Sequence, residues 1–410
     1  MRDAVGDRGD FPEGKNEAVG QRIRLDPDWE KGRDFKRGLR GVNGVGEADC
    51  ARRGGVLWWR MLPWLQTDRP PLYLAPMAGV TDAVFRGLCK ELGAEVMVTE
   101  FVSSEGIIRR DDRTRHYTDF EEGQRPVGVQ LFGAHPENMA EAARKVVDWK
   151  QPDFIDLNFG CPVNKVVAKN GGSSLLKDCP LLTAVATAVA KAVPVPVTAK
   201  IRIGWDEQSV NAREVCRLLE DCGIAAVTIH GRTRAQGYTG LANWDVIGEC
   251  AEASRLPIIG NGDLANGRDI EHRRRTTRVK GLMIGRAAMG YPWVFREARE
   301  YLETGRQAAP VEAEERWAFM LRHARLAMAT GRFDSERFLM QSLRSRLMAY
   351  SKGLPGGRAL RQRFCNIQSI MELEDIAAAW LAKDAEFHGA GDGVEAGAEA
   401  EAGEVVLAGG

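Results

Sequence analysis

The 410-residue chain contains no run of eighteen apolar residues and no CxxC pair. Its most apolar stretch, LLTAVATAVAKAVPVPV, is broken by Lys191, Pro194 and Pro196, so no membrane-spanning segment is predicted. The opening residues, MRDAVGDRGDF, lack the apolar core of a secretory signal. The eight cysteines are scattered, which argues against a disulfide framework and against a zinc site. These absences predict a metal-free cytosolic protein with reduced thiols, and we expect a monomer.

Charge is balanced overall but segregated along the chain. The formal net charge is zero, yet residues 320–365 hold ten Lys or Arg and two acids. A neutral protein with such a basic segment can bind a polyanion locally. Residues 1–60, rich in Gly, Asp and Arg, and the acidic low-complexity tail 384–410 are too poor in apolar periodicity to build a core. We therefore predict disordered extensions at both ends, with folded sequence beginning at Met61.

Between these ends, eight short apolar runs alternate with amphipathic stretches. The runs are LYLAPM (72–77), VMVTEF (96–101), PVGVQLF (126–132), FIDLNFG (154–160), PVTAKIRIG (196–204), AVTIHG (226–231), PIIGNGD (257–263) and GLMIGR (281–286). Apolar strands separated by helices indicate a parallel sheet covered on both faces. Eight such units in about 220 residues predict an α/β fold, a (β/α)8 TIM barrel over residues 61–305. A doubly wound sheet is the alternative, but its GxGxxG fingerprint is missing after the first strand.

The alternation stops after Tyr291, and residues 313–383, within the predicted helical domain 306–383, contain helix-like segments only. One of them carries an apolar stripe at Leu339, Leu343, Leu347 and Tyr350. Arg337, Arg344 and Arg346 lie off this stripe. The pattern predicts a small C-terminal helical bundle docked to the barrel.

Polar and cationic residues recur where the predicted strands end, which is where the active site of a TIM barrel lies. They are Pro76, Met77, Ala78, Gln130, Asn158, Cys161, Lys200, Arg202, His230, Arg232, Arg234, Asn261, Gly262, Asp263, Gly285 and Arg286. Burying such groups without partners is costly, so a bound polar ligand is the economical explanation.

The last two strand ends suit a phosphate. GNGD and IGRAAMG supply small residues, free backbone N–H groups and one guanidinium, although the glycines could serve only for tight turns. Lys200, in a buried strand, could hold positive charge against an electron-rich ring such as a reduced flavin. It could instead pair with a neighbouring carboxylate. His230 is equally well read as a satisfied core residue.

Cys161 stands alone on the loop GCPVNKVVAKNGG. A cysteine before proline is more often a small buried hydrophobe. The loop offers no adjacent base, so a hydrolase triad has little support. A thiol with an ordinary pKa of about 8.5 stays protonated at neutral pH and can act as a general acid. Together, a flavin and a thiol acid would make a coherent reductase.

The motifs over about residues 72–300 resemble those of the tRNA-dihydrouridine synthases, most closely the bacterial B-type branch. The motifs that carry the resemblance are LAPMAGVTDAVFR, VGVQLFG, IDLNFGCPVNKVVAKNGGSSLL, AKIRIGW, TIHGRTRAQGYTG, IIGNGDL and GLMIGRAAMGYPWVF. The resemblance implies an FMN enzyme that uses NADPH, or NADH, to reduce the C5–C6 double bond of uridine in tRNA.

The resemblance also implies residue roles. Cys161 is the proton donor to C5, while hydride passes from the flavin to C6. Pro76, Met77 and Ala78 line the flavin, Gln130 and Lys200 bond its ring, and Asn261, Gly262, Asp263, Gly285 and Arg286 form the phosphate end, with His230 nearby. Asn158, Lys165, Lys169, Arg202, Arg232 and Arg234 are candidate contacts to the tRNA, which the helical segment 306–383 also grips.

Two other functions stay open from the sequence. One is a flavin barrel oxidoreductase acting on a free pyrimidine, similar to dihydroorotate dehydrogenase, which would not need the basic helical segment. The other is a tRNA-binding protein with a vestigial barrel, against which the intact Cys161, Lys200 and phosphate loops speak. Because every predicted FMN contact precedes residue 300, the barrel is expected to keep its flavin without residues 310–410.

Overall fold

Nine parallel strands form one sheet that closes on itself in the computed structural model, which describes residues 61–109, 112–167 and 170–383. The strands are β1 (Leu72–Leu74), β2 (Val96–Val98), β3 (Val102–Ser103), β4 (Val127–Phe132), β5 (Phe154–Phe159), β6 (Val197–Arg202), β7 (Ala226–His230), β8 (Ile258–Asn261) and β9 (Gly281–Ile284). Their order is β2-β1-β9-β8-β7-β6-β5-β4, with β3 beside β4, and β2 also pairs with β4 to complete the circle. The predicted (β/α)8 barrel is confirmed. The predicted extensions, 1–60 and 384–410, lie outside the described residues.

Each of the eight predicted apolar runs contains one barrel strand, but most strands end before their run does. The run 72–77, for example, is extended only to Leu74, and the run 257–263 only to Asn261. The last residues of these two runs, among them Met77, Gly262 and Asp263, therefore lie in loops at the C-terminal mouth of the barrel. This is the end of the barrel at which a ligand can reach them.

Helices connect the strands and cover the outside of the barrel. They are α1 (Ala83–Glu91), α2 (Ser104–Ile108), α3 (Asp112–His116), α4 (Pro136–Lys150), α5 (Asn164–Val167), α6 (Cys179–Ala192), α7 (Ala212–Asp221), α8 (Trp244–Ala253), α9 (Gly267–Thr276), α10 (Arg286–Gly290) and α11 (Val294–Thr304). Local sequence sets their ends. The Asp82 side chain accepts from the Phe85 N–H at the start of α1, and Pro136 occupies the first turn of α4.

Four further helices follow the barrel and confirm the predicted C-terminal bundle. They are α12 (Ala313–Ala329), α13 (Glu336–Tyr350), α14 (Gly357–Asn366) and α15 (Ile370–Leu381). Helix α12 packs on α1, and α13 packs on α10. The boundary placed at residue 305 falls in the connection between α11 and α12. Barrel and bundle belong to one compact unit. No helix in the described ranges is long and apolar enough to cross a membrane.

A small apolar cluster fills the opposite, N-terminal end of the barrel. Leu62 and Leu65 pack there on Tyr73 and Phe154, and Trp64 Nε1 donates to the Tyr73 hydroxyl (2.8 Å). A second, larger cluster lies between the strands and the surrounding helices. One end of the barrel is therefore sealed by side chains, which leaves the C-terminal mouth for function.

Candidate active site

Strand register aligns the predicted polar residues in rows across the sheet. From the middle of the barrel toward its mouth, the rows are Gln130–Asp156–Thr198, Asn158–Lys200–Thr228 and Arg202–His230–Asn261. Residues far apart in the chain are thus brought to neighbouring positions at one end of the barrel.

A buried carboxylate, Asp156, begins a chain of hydrogen bonds that ends at Cys161. Its Oδ2 accepts from Gln130 Nε2 (2.6 Å), and its Oδ1 accepts from Thr198 Oγ1 (2.5 Å). Gln130 Oε1 accepts from Asn158 Nδ2 (2.8 Å), and Asn158 Oδ1 accepts from the backbone N–H of Cys161 (2.9 Å). Burial raises the pKa of Asp156, and the two donated hydrogen bonds oppose that shift. Because the Cys161 backbone N–H can only donate, Asn158 must accept with its oxygen. This fixes which end of the Asn158 and Gln130 amides is oxygen and which is nitrogen.

The glycines and serines after Cys161 hold its loop in place. The Cys161 carbonyl accepts from the Ser173 hydroxyl (2.8 Å) and from the Ser173 N–H (3.2 Å). Gly172 has a φ of 61°, and a Cβ there would lie 2.9 Å from the same carbonyl oxygen. The small residues of the NGGSS segment therefore allow it to pack directly against Cys161.

Cys161 is itself 7% exposed. Burial raises its pKa, while the Val163 N–H and the charges of Arg202 and Lys200 oppose the shift without reversing it. The thiol is consequently protonated at neutral pH. This protonation state suits a general acid and does not suit a nucleophile.

Lys200 brings a positive charge to the same mouth. Burial, reinforced by repulsion from Arg202, lowers its pKa to about 8. Within the described part of the chain its ammonium makes one hydrogen bond, to Asn261 Oδ1 (3.2 Å), while Asn261 Nδ2 donates to the Met283 carbonyl (2.7 Å). No carboxylate in that part lies within ion-pair distance of Lys200. Since an ammonium has three donors, Lys200 keeps hydrogen-bonding capacity for a ligand.

Asp263 gathers two arginines at the end of β8. Arg232 Nη2 donates to both carboxylate oxygens (2.8 and 2.9 Å), and Arg286 Nη2 donates to Oδ1 (3.2 Å). The Arg286 side chain is 43% exposed, so its remaining donors are accessible from the mouth. Gly262, at a φ of 123°, leaves no room for a Cβ, which would lie 2.6 Å from the Ala242 Cβ.

His230 is buried beside these groups. Burial, together with the nearby charge of Lys200, lowers its pKa well below the ordinary value, so the ring is neutral. Its Nε2 lies 3.4 Å from Arg232 Nη1. The imidazole already has a partner inside the protein. The structure is therefore consistent with the alternative that His230 is a core residue whose polar atoms are satisfied.

Two of the predicted tRNA contacts, Arg202 and Arg232, are buried. Arg202 donates to the carbonyl oxygens of Gly160, Thr233 and Gly237, and Arg232 donates to those of Thr239 and Gly240. Their guanidinium groups are thus engaged by backbone acceptors and by Asp263. This placement favours a role in holding the loop after β7 and does not favour contact with phosphates at the surface.

The other predicted tRNA contacts lie in different settings. The Arg234 guanidinium lies 4.6 Å from the centre of the Trp205 ring, which Lys177 also approaches (4.1 Å). Asn158 belongs to the buried amide chain. Lys165 lies in α5, and Lys169 lies outside the described residues. A role for these residues in tRNA binding stays a prediction.

Sequence reasoning overlooked three residues of the mouth. Glu100 is buried after β2 and accepts from the Gly79 N–H (2.6 Å), and Asp156 fixes the amide chain. The available signal was a carboxylate inside each of the apolar runs VMVTEF and FIDLNFG. Tyr238, 51% exposed, lies beside the guanidinium groups of Arg202 (5.6 Å) and Arg286 (5.1 Å), and no local pattern marked it.

A closed parallel barrel with a protonated thiol, an ammonium and a part-exposed guanidinium at its C-terminal mouth defines an α/β-barrel enzyme. The family model for dihydrouridine synthase (Dus) matches residues 73–384, which is most of the chain. The protein belongs to the dihydrouridine synthase family, whose members are oxidoreductases.

Curated relatives agree with this assignment. The tRNA-dihydrouridine synthase B of Pseudomonas putida is 40% identical over 298 residues, covering 73% of this chain and 87% of that protein. The tRNA-dihydrouridine synthase B of Xanthomonas campestris pv. campestris is 44% identical over 244 residues, covering 60% and 73%. The probable tRNA-dihydrouridine synthase 1 of Synechocystis is 36% identical over 303 residues, covering 74% and 84%. The resemblance to the B-type branch is confirmed.

The raised pKa of Cys161 gives a first testable prediction. Alkylation requires the thiolate, so its rate at Cys161 should rise with pH and reach its midpoint above the ordinary value of about 8.5. Mass spectrometry of the Cys161 peptide after iodoacetamide pulses at graded pH measures this, with the exposed Cys365 as an internal reference for reagent delivery. A midpoint below about 7 would indicate a nucleophilic thiolate and contradict the general-acid assignment.

Proposed function

We propose that the protein reduces the C5–C6 double bond of uridines in tRNA to dihydrouridine, with FMN as cofactor and NADPH or NADH as electron donor. The observation that carries the proposal is the protonated Cys161 thiol, fixed by the Asp156 chain of hydrogen bonds at the mouth that also holds Lys200. The names of the relatives support tRNA as the substrate. We infer that the protein modifies tRNA in the cytosol.

The residues present fit FMN. Lys200 keeps hydrogen-bonding capacity at the barrel mouth, and the Gln130 amide, which Asp156 and Asn158 engage, keeps one N–H. An isoalloxazine ring offers carbonyl and nitrogen acceptors to such donors. Arg286 offers a part-exposed guanidinium for a phosphate, and Gly285 adds no side chain next to it. Arg232 and Arg286 together outweigh the single charge of Asp263, so this end of the mouth favours an anion.

When bound, FMN would supply a hydride for C6 of the uracil. The chain supplies the matching proton: Cys161 Sγ donates to C5, and the two additions saturate the double bond. Asn158 holds the Cys161 backbone, so the thiol is positioned before the substrate arrives. Because the thiol is buried, the target uridine has to leave the base stack of the tRNA to reach it.

The helical bundle supplies exposed positive charge for the tRNA backbone. Of the ten cations in 320–365, Arg322 pairs with Glu91, Arg325 pairs with Glu374, and Arg346 is buried. The exposed side chains include Arg332, Arg337, Lys352, Arg358, Arg361 and Arg363. This arrangement favours phosphate contacts over recognition of individual bases.

Replacing Arg337, Arg358 and Arg361 together by Gln should weaken tRNA binding. The plot of log K against log salt concentration should become less steep with each phosphate contact that is lost. The expected change in steepness is about 0.7 for a single-stranded phosphate and about 0.9 for a duplex phosphate. Binding measured over a salt series gives the slope. The matched control replaces Lys191, Arg213 and Arg217, three exposed cations on α6 and α7, by Gln. Equal slopes in both variants would show that the bundle does not contact the tRNA backbone.

Product analysis tests the proposed activity. The purified protein should release FMN on denaturation and convert uridine to dihydrouridine in unmodified tRNA, as measured by nucleoside mass spectrometry, when NADPH or NADH is present. An enzyme that reduces a free pyrimidine and leaves tRNA unchanged would support the alternative oxidoreductase. A protein that binds tRNA but holds no flavin would support a vestigial barrel.

A further inference from the structure

One arginine of the helical bundle reaches into the barrel mouth. Arg346 in α13 is 5% exposed; its Nη2 donates to the Gly79 carbonyl (2.5 Å) and its Nη1 to Asp82 Oδ2 (3.2 Å). Gly79 and Asp82 belong to the loop between β1 and α1, which we call the β1–α1 loop (residues 75–82). The two ends of this contact are more than 260 residues apart in the chain.

The β1–α1 loop carries Met77 and Ala78. Hydrogen bonds between Thr81 and Met77 close it on itself, and Arg86 Nη1 donates to the Thr81 carbonyl. The Gly79 N–H donates to Glu100 Oε2 (2.6 Å), and Asp82 Oδ1 accepts from the Phe85 N–H (2.9 Å), which caps α1. Gly79 itself has a φ of 69°, a conformation that a glycine adopts without steric cost. Arg346 therefore adds two contacts from the helical bundle, to the Gly79 carbonyl and to Asp82 Oδ2, the carboxylate oxygen opposite the one that caps α1.

Arg346 is itself oriented by the bundle. Its Nη1 lies 3.2 Å from His323 Nε2, and His323 Nδ1 lies 3.1 Å from the Tyr350 hydroxyl. Burial, with the charge of Arg346 second, lowers the pKa of His323 to about 3, so the ring is neutral. With Nε2 accepting from Arg346, Nδ1 carries the hydrogen and donates to Tyr350. The guanidinium is thus aimed at the loop by a buried pair from α12 and α13.

We propose that Arg346 is a positioning residue for the flavin site, through which the helical bundle completes the β1–α1 loop. The proposal rests on the proposed function only in taking Met77 and Ala78 to line the flavin. It gives the bundle a second role besides tRNA binding. It also departs from the expectation, drawn from the sequence, that the barrel alone keeps its flavin.

The test compares FMN affinity in full-length variants stripped of cofactor. Arg346→Met keeps an unbranched chain of similar length but loses both hydrogen bonds, and it should weaken FMN binding at least about tenfold. Arg346→Lys, which cannot span both acceptors, should fall between Arg346→Met and wild type. The matched control is Arg322→Met, which removes an exposed ion pair between α12 and Glu91 of α1. Its FMN affinity should stay within about twofold of wild type.

A second variant approaches the contact from the barrel side. Asp82→Asn keeps a good helix cap but removes the charge that faces Arg346, and it should also weaken FMN binding. Hydrogen exchange of residues 75–82 in the flavin-free protein should be faster in Arg346→Met and Asp82→Asn than in wild type and Arg322→Met. FMN affinity and loop exchange both equal to wild type in a folded Arg346→Met protein would overturn the proposal. If the wild type binds no FMN, the proposed function fails, and the exchange measurement still decides the role of Arg346.

Discussion

Cys161→Ala should lower turnover about 100- to 10,000-fold, the range typical of losing a general acid, while FMN and tRNA binding stay near wild type. The bonds to Asn158 and Ser173 run through the Cys161 backbone and survive the substitution, which removes the contact of the thiol with the Val163 N–H. The substitution therefore removes the proton donor and leaves the loop in place.

Rapid mixing of the reduced enzyme with tRNA separates this effect from steps before and after the chemistry. Cys365→Ala, at an exposed cysteine on α14, is the control and should react like wild type. A Cys161→Ala rate within about threefold of wild type would remove Cys161 from the proton-transfer step, since that loss is far below the general-acid range.

Arg286→Ala should weaken FMN binding about 10- to 100-fold, because the charge-assisted hydrogen bonds expected at the phosphate are lost. The fold should tolerate this change. Asp263 keeps both of its contacts to Arg232 and its hydrogen bond from the Ala242 N–H (2.7 Å), so no buried charge is left alone.

Flavin content after dialysis and titration of the stripped protein measure this loss. Lys200→Ala is the comparison and should retain more flavin than Arg286→Ala, because Lys200 is assigned to the ring. Equal flavin retention in Arg286→Ala and wild type would place the phosphate elsewhere in the mouth.

The barrel was predictable because its pattern is local. Each of the eight apolar runs contains a strand, and their polar ends form the mouth, since the C-terminal ends of parallel strands meet at one edge. The apolar stripe of α13 was equally visible, and Leu339, Leu343, Leu347 and Tyr350 are all buried. Helical and strand periodicity carry this information without reference to the rest of the fold.

The partners of charged residues were not predictable in the same way. Arg346 lies off the apolar stripe and would be expected in solvent, yet it is buried because Asp82 and the Gly79 carbonyl meet it across the fold. Arg202 and Arg232 were candidate contacts to the tRNA, but loop carbonyls 7 to 35 residues further along the chain accept hydrogen bonds from them inside the protein. Such pairings depend on the folded arrangement of distant segments, and no spacing in the sequence encodes them.

Anaerobic single turnover with tRNA tests the central claim most directly. The NADPH-reduced protein is mixed, without oxygen, with tRNA that lacks dihydrouridine, and flavin absorbance and dihydrouridine are measured in the same samples. We predict that tRNA oxidises the flavin and that one dihydrouridine forms for each flavin oxidised. A flavin that stays reduced with tRNA but is oxidised by a free pyrimidine such as orotate would contradict the account.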